Sequence, residues 1–494
     1  MAIDNLDRYV NEFFLKGLQV DERDDEAEGT AAFTQAIMKY GVQWTYREEL
    51  SIKDAAVLRR ILSTGPPVRK LILHRISLCP FKVAFNNREV CRSLEEVHID
   101  YVDCEGKALS VSLCGMFQSL RSLFLCCVNP GNTFADDIAS YIRHNSSLRK
   151  LGLCNSCGGD KGAATLMEAL TGNDTLKTFS LADMDLSSDT LTGFANVLAS
   201  NSTLEMVSLT AVCPVEKEKV TWLLGQERYA GVFRRLKIQW PERLLPELTA
   251  LLRKGGCCPE LSVTVTSSTC DGVLREFFEA LAADKAVRGL HFLSNEDTFE
   301  AFADGIAFVL KSTTTLRAVR IDMCVDSPQA HQLIGIFDAL KQNHSVTKFA
   351  INAEDVTPEI ATSLSELLAV NNTLNDVAIF NYCEVSSGEM ETIVKGSKTN
   401  YTLTSFAVFG EPDSEGIREM SAILRRNNRL KDKAAQFVIS GADAGDETGV
   451  DALRKVHSSD DLVLQLQRLT GWTREEALEN VRSALASVSS RRMV

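Results

Sequence analysis

Apolar residues recur along this chain in a fixed frame, apolar-x-x-apolar-x-apolar, seen as LRKLGL from Leu148, LKTFSL from Leu176 and LEMVSL from Leu204. The frame also fits VRKLIL from Val68, LEEVHI from Leu94, LRSLFL from Leu120, FRRLKI from Phe233 and VRGLHF from Val287. It continues as LRAVRI from Leu316, VTKFAI from Val346, LNDVAI from Leu374 and LTSFAV from Leu403, with a degenerate copy, CPELSV, from Cys258. Starts lie 25 to 30 residues apart, mostly 28 or 29, and a period in this range marks a stacked repeat array.

Each copy changes period partway through. Its opening alternates, which predicts a short strand with one buried face. A turn follows, then spacings of three and four, as in Leu191, Phe194, Leu198 and in Ile360, Leu364, Leu367; these predict an amphipathic helix of about eleven residues. Thr357-Pro358 and Ser327-Pro328 supply a hydroxyl N-cap followed by proline in the first turn, where its missing N–H costs nothing. One strand and one helix cannot close a core alone. The expectation is an α/β solenoid, curved, with parallel strands on the concave face and helices on the convex face.

Just before many strands stands an N-x-[ST] triplet: Asn145, Asn173, Asn201, Asn343, Asn371 and Asn400 each open one. The triplet is a sugar-acceptor signal in secreted proteins. Its position, after a helix and three residues before a strand's first apolar residue, makes it a hinge between repeats instead. Asparagine tolerates the left-handed backbone that ends helices, and its side chain can satisfy loose backbone groups.

The run L-x-x-L-x-L-x-x-[apolar/Cys]-x-L with a helix after it resembles the long, ribonuclease-inhibitor type of leucine-rich repeat. LADMDLSSDTLTGFANVLASNSTL, from Leu181, is close to that pattern, with Met184 where cysteine or asparagine is usual. The resemblance spans about residues 67–440 and takes in three functional branches: ribonuclease inhibitors, Ran GTPase-activating proteins, and the sensing ends of nucleotide-binding leucine-rich-repeat receptors. The N-x-[ST]-L phrase is most similar to the receptor branch. No motif of the GTPase-activating branch is matched, so none of its functional residues carries over, and its long acidic tail is absent.

Outside the array, residues 1–66 read as an N-terminal helical cap containing the acidic run DERDDEAE, with a helix near Asp54 to Leu62. Residues 441–494 read as a linker and a C-terminal helical segment, in which Thr473-x-x-Glu476 forms a capping box. The stretch GWTREEALENVRSAL resembles part of a ubiquitin-associated domain, without a complete three-helix match.

Composition narrows the function. With 45% hydrophobic and 24% charged residues over 494 positions, the chain has ample material for a core. Its net charge of -13 argues against nonspecific binding to nucleic acid or anionic membranes. The N-terminus lacks the apolar run of a secretory signal, and no stretch of 18 apolar residues spans a bilayer. The 14 cysteines are then expected as reduced thiols in the cytoplasm.

No G-x-x-x-x-G-K-[ST], H-E-x-x-H or G-x-S-x-G occurs, so no cofactor, nucleotide, metal or catalytic residue is expected. Cys154-x-x-Cys157 lacks a second ligand pair and reads as structural packing. The neighbours Cys126-Cys127 and Cys257-Cys258 cannot both point one way along a strand, so one of each is expected to face solvent or a loop, open to oxidation. The seven histidines are scattered; His98 and His291 hold equivalent positions in separate repeats.

Alternation locates the surface where binding would happen. Positions four and six of each repeat point into the core, so three, five and seven point outward. That gives Glu96, His98 and Asp100, then Ser122, Phe124 and Cys126; small residues follow from Thr178 to Thr210, then a basic spot, Arg235, Lys237 and Gln239. Further on come Arg320, Asp322, Asp376, Phe380, Ser405 and Phe409. Phe380 and Phe409 share a column in consecutive repeats, about one strand spacing of ~5 Å apart, either as hot-spot anchors or beneath a C-terminal cap. The candidate partner-binding residues are Glu96, His98, Asp100, Phe124, Arg235, Lys237, Gln239, Arg320, Phe380 and Phe409. The function expected is a non-enzymatic scaffold for a protein partner, in innate-immune or other intracellular signalling. The alternatives that the resemblance implies are activation of a Ran-like GTPase and stoichiometric inhibition of a basic enzyme.

Overall fold

The computed structural model describes residues 43–490 apart from 65–67, 86–92, 104–116, 129–132, 155–157, 183–185, 210–214, 266–269, 295–298, 324–329, 354, 382–384, 409–414 and 442–445. The early acidic run, the Ser327-Pro328 cap, Met184 and Phe409 therefore lie outside the described residues. The chain divides into two compact units, with the break between Gln239 and Trp240.

In the first unit, eight parallel strands pair in chain order: β1 (Gln43–Leu50), β2 (Lys70–Ser77), β3 (Glu96–Asp103), β4 (Ser122–Val128), β5 (Lys150–Cys154), β6 (Thr178–Ala182), β7 (Met206–Leu209) and β8 (Leu236–Trp240). Between them run α1 (Ile52–Thr64), α2 (Leu78–Phe85), α3 (Phe134–His144), α4 (Gly159–Thr171), α5 (Ser188–Ser200) and α6 (Lys217–Leu224). The second unit repeats the scheme with β9 (Glu260–Val265), β10 (Gly289–Ser294), β11 (Ala318–Met323), β12 (Lys348–Ala353), β13 (Asp376–Asn381) and β14 (Ser405–Val408). Its interleaved helices are α7 (Leu245–Arg253), α8 (Asp271–Ala283), α9 (Phe299–Ser312), α10 (Ala330–Gln342), α11 (Pro358–Val370) and α12 (Ser387–Ser397). Parallel strands joined by helices make each unit a stretch of α/β repeat solenoid.

The strands begin where the apolar frame puts them. From β2 to β14 the first strand residue is the third of its repeat, except β8, which starts at the fourth, Leu236. Burial follows the frame: Leu204, Val207 and Leu209 are buried, as are the helix residues Leu191, Phe194 and Leu198. The sheet also reaches back to β1, within the stretch read as a helical cap. Trp44 and Tyr46 stand in register with the core residues Leu71 and Leu73 of β2.

Each helix must end beneath the next repeat, where its last carbonyls have no helical partner. The triplet asparagines supply one. Asn201 Oδ1 accepts from the N–H groups of Thr203 and Leu204, at 2.7 and 2.9 Å. Its Nδ2 donates back to Leu170 O and Asn173 O in the preceding repeat, at 2.7 and 2.8 Å. Asn371 and Asn400 do the same, Asn371 on Leu340 O and Asn343 O, Asn400 on Leu368 O and Asn371 O. The third residue of the triplet adds a hydroxyl bond to the same neighbour, as Thr373 Oγ1 does to Asn343 O and Thr402 Oγ1 to Leu374 O. The backbone, however, is not left-handed: Asn145, Asn201 and Asn371 are extended, with φ of -95°, -96° and -80°. The amide side chain does what the left-handed turn was expected to do.

The repeat of β8 is among those without the asparagine. By the pattern of its neighbours, that residue would donate to Leu198 O and Asn201 O. Arg235 takes its place: its guanidinium donates to Leu198 O, Asn201 O and Leu204 O.

Caps elsewhere match their residues. Thr357 Oγ1 accepts from Ile360 N with Pro358 in the first turn, and Thr473 and Glu476 exchange bonds as a capping box. Cys257 and Cys258 are both buried, against the expectation that one would face outward. They precede β9, in the turn, where strand alternation does not operate, and burial pushes the Cys257 thiol up.

The chain closes with a helical cap made of α13 (Glu415–Ile439), α14 (Glu447–Val456), α15 (Asp460–Thr470) and α16 (Arg474–Ser490). Its core joins Phe437, Leu453, Leu462, Leu466, Ala477 and Val481. It is tied to the last strands by Asn375 Nδ2 to Ser459 Oγ at 3.0 Å and by Thr404 Oγ1 to Asp461 Oδ2 at 2.7 Å.

Three outcomes follow. Asn371→Ala strands buried carbonyls and N–H groups on both sides of the hinge and should lower stability by about 1–3 kcal/mol, read as a fall in the urea midpoint; Arg235→Ala should cost a similar amount. Gly396 of α12 lies so close to the Ser365 carbonyl of α11 that any Cβ would collide with backbone. Gly396→Ala should therefore destabilise by about 1–3 kcal/mol through overpacking, in contrast to the usual gain of a helical Gly→Ala change.

Candidate functional site

The outward positions of β2 to β5 form a connected group. Carbon chains at positions four and six anchor these strands in the core, leaving five and seven on the surface. Asp100 of β3 accepts from two imidazoles: His74 Nδ1 lies 2.7 Å from Oδ2, and His98 Nε2 lies 2.5 Å from Oδ1. The His98 ring stacks on Phe124 of β4, with centroids 4.3 Å apart and planes 14° apart. On its other side Phe124 lies over Gly152 of β5, where a Cβ would stand 2.5 Å from the ring. Only glycine leaves room for the ring to lie across β5. Glu96 pairs with Lys70 of β2 at 3.3 Å.

Four of the residues expected here, Glu96, His98, Asp100 and Phe124, are thus on one face, the last three in contact through His98. His74 was not among them. Its signal was its place: it is the seventh residue of the VRKLIL repeat, the column of Asp100 one strand earlier. The column continues to Cys126 and Cys154, which are in register across β4 and β5. Cys154 therefore sits on the strand surface rather than in a packed turn; Cys157 lies outside the described residues.

The basic spot is smaller than expected. Arg235 is committed to the three carbonyls of the hinge, while Lys237 and Gln239 are half-buried on β8. The carbonyls drew the guanidinium because no asparagine competes for them.

In the second unit a string of side chains crosses the strand face. Ser262 Oγ of β9 lies 3.3 Å from His291 Nδ1 of β10, and His291 Nε2 lies 2.8 Å from Asp322 Oδ2 of β11. Asp322 also binds Arg320 Nε at 3.0 and 2.8 Å. The Arg320 guanidinium sits 5.4 Å from the ring centroid of Phe380 on β13. That contact skips a strand. It is open because β12 presents Ala350 beside Arg320 and Asn352 beside Phe380, so the small alanine leaves the long side chain a path. Phe380 remains 45% exposed; the C-terminal helices do not cover it.

Ser262, His291 and Asp322 have the composition of a nucleophilic triad but not its geometry. The serine is wholly buried and faces Nδ1, whereas the carboxylate holds Nε2. A general base needs the reverse arrangement and an accessible hydroxyl. The string orients Arg320 through Asp322. Among the described residues, no three His, Cys, Asp or Glu side chains converge on a metal-sized site. No described helix is long and apolar enough to cross a membrane.

No family model matches the chain, and no curated protein matches it. Among solved structures it is similar to the Rad7 and Elc1 complex of yeast over 83% of this chain and 94% of that one, at 14% identity and a TM-score of 0.40. It is also similar to leiomodin-1 actin-binding site 2, over 39% of this chain and 95% of that one, at 17% identity and a TM-score of 0.25. A tropomodulin C-terminal domain from Caenorhabditis elegans is similar over 37% of this chain and 93% of that one, at 12% identity and a TM-score of 0.23. At these identities and scores, the likenesses assign neither partner nor activity to this chain.

Proposed function

We propose that this chain is a non-enzymatic scaffold that binds a protein partner through its strand face, as a leucine-rich-repeat array of the ribonuclease-inhibitor type. The observation that carries the proposal is the Arg320–Phe380 pair: a half-exposed aromatic beside a guanidinium that Asp322, two residues along the same strand, holds. Phe380 keeps 45% of its surface exposed although Arg320 packs on its ring, and rigid aromatic and arginine anchors dominate protein interfaces. We place it in the cytoplasm, in a signalling role. In support, Asn201, Asn371 and Asn400 each donate two Nδ2 hydrogen bonds, so a sugar on that nitrogen would break the hinge.

A second reading, stoichiometric inhibition of a basic enzyme, is favoured by the net charge of -13; its binding would weaken steeply with salt. Activation of a Ran-like GTPase is separated from both by measuring GTP hydrolysis in the presence of the chain.

The test is affinity capture from cytosolic extract followed by binding measurements on the recovered protein. Phe380→Ala and Arg320→Ala should each weaken binding by about 30-fold, the loss of a hot spot worth about 2 kcal/mol. Phe308→Ala, which removes an equally exposed ring from α9, should leave binding unchanged. Equal losses at Phe308 and Phe380, or none at Phe380, would place the binding surface elsewhere.

A further inference from the structure

Leu73, Ile99, Leu125 and Leu153 stand in register across β2 to β5. The residue after each points outward, giving the row His74, Asp100, Cys126 and Cys154. The last two are direct partners in the β4–β5 ladder and half-exposed. Neighbouring strands lie about 4.8 Å apart, within the roughly 4.4–6.8 Å between Cα atoms that a disulfide spans. Residues in register on one face also direct their Cβ atoms the same way. The two thiols are close enough that Cys154 bears on the protonation of Cys126.

We propose that Cys126 and Cys154 form an oxidation site, at which hydrogen peroxide or an alkyl hydroperoxide converts the two thiols to a disulfide joining adjacent repeats. The order of events follows from the surroundings. Burial first, then the neighbouring Cys154 and Asp100, push the Cys126 thiol up to about 12, which makes Cys126 the poorer first nucleophile and leaves the first attack to Cys154. The Cys154 sulfur bonds to one peroxide oxygen, the O–O bond breaks, and water (or alcohol) leaves with a sulfenic acid on Cys154. The Cys126 sulfur then attacks the Cys154 sulfur; the S–S bond forms, the S–O bond breaks, and water leaves with the second thiol proton. Two electrons pass from the thiol pair to one peroxide. A half-exposed bond of this kind is reopened by a thiol reductant.

The site is independent of the partner proposed above, but it borders the polar group on the same face. Cys154 is two residues from Gly152, over which the Phe124 ring lies, and Cys126 is beside Asp100, which both histidines hold. Oxidation would thus place a covalent tie at the edge of that group.

The experiment treats the folded full chain with low equivalents of hydrogen peroxide, blocks remaining thiols, and maps cross-linked peptides by mass spectrometry. The expected product is a Cys126–Cys154 linked pair, two hydrogens lighter than its thiols and separated by dithiothreitol. Cys126→Ser should abolish the link and leave Cys154 trapped by a sulfenic-acid probe. The exposed thiols Cys79 and Cys270 should give no link at the same dose. Recovery of Cys126 and Cys154 as unoxidised, blocked thiols, or a Cys154–Cys157 link in their place, would overturn the proposal.

Discussion

Where one repeat stacks on the next, carbonyls at the end of a helix are buried: Leu170 O, Leu340 O and Leu368 O each accept a buried hydrogen bond from the asparagine of the following repeat. An unpaired buried carbonyl costs on the order of 1–3 kcal/mol, and the array presents such ends again and again. In the repeats that carry the triplet a single amide side chain resolves it: Asn201 accepts from two N–H groups just ahead of its own strand and donates to Leu170 O, at the end of the helix before, and to Asn173 O after it. The bond set ties each such repeat to its predecessor, by polar hinges as well as by the leucines of the core. The hinge adds to the backbone ladder between neighbouring strands, which already sets their register.

The need to pair such carbonyls explains why the repeats were so readable. The apolar frame and the asparagine obey the same spacing, and strand starts from β2 to β14 fall at one position of the frame with a single exception. What escaped was β1. Its in-register residues are Trp44 and Tyr46 rather than leucines. The extended backbone at Asn145, Asn201 and Asn371 differs from the expected left-handed one for another reason: asparagine both tolerates that conformation and bonds through its side chain, and the sequence alone does not say which property is in use.

The strand face was legible as a set of columns and illegible as a set of contacts. Alternation places His98, Asp100, Arg320 and Phe380 outside the core, because the backbone repeats every two residues. It says nothing of reach. Arg320 meets Phe380 across a strand only because position 350 is alanine, and His74 meets Asp100 because both occupy one column of adjacent repeats. Long charged side chains also have a choice of partner, and Arg235 turned to the hinge because nothing else served the carbonyls there. Column by column the surface can be drawn from sequence; its wiring needs coordinates.

The arginine at that hinge has a consequence for how such arrays change. An asparagine sits inside the connection between helix and strand, so it works only when that connection keeps its length. Arg235 reaches the same carbonyls from the edge of a strand, and the residues upstream of it are released from the count. They hold instead two short 3-10 turns, Glu227–Tyr229 and Val232–Arg234. Moving the bond donor out of the loop turns a fixed joint into an adjustable one, and gives the chain a position where insertions can be accepted without unzipping the stack.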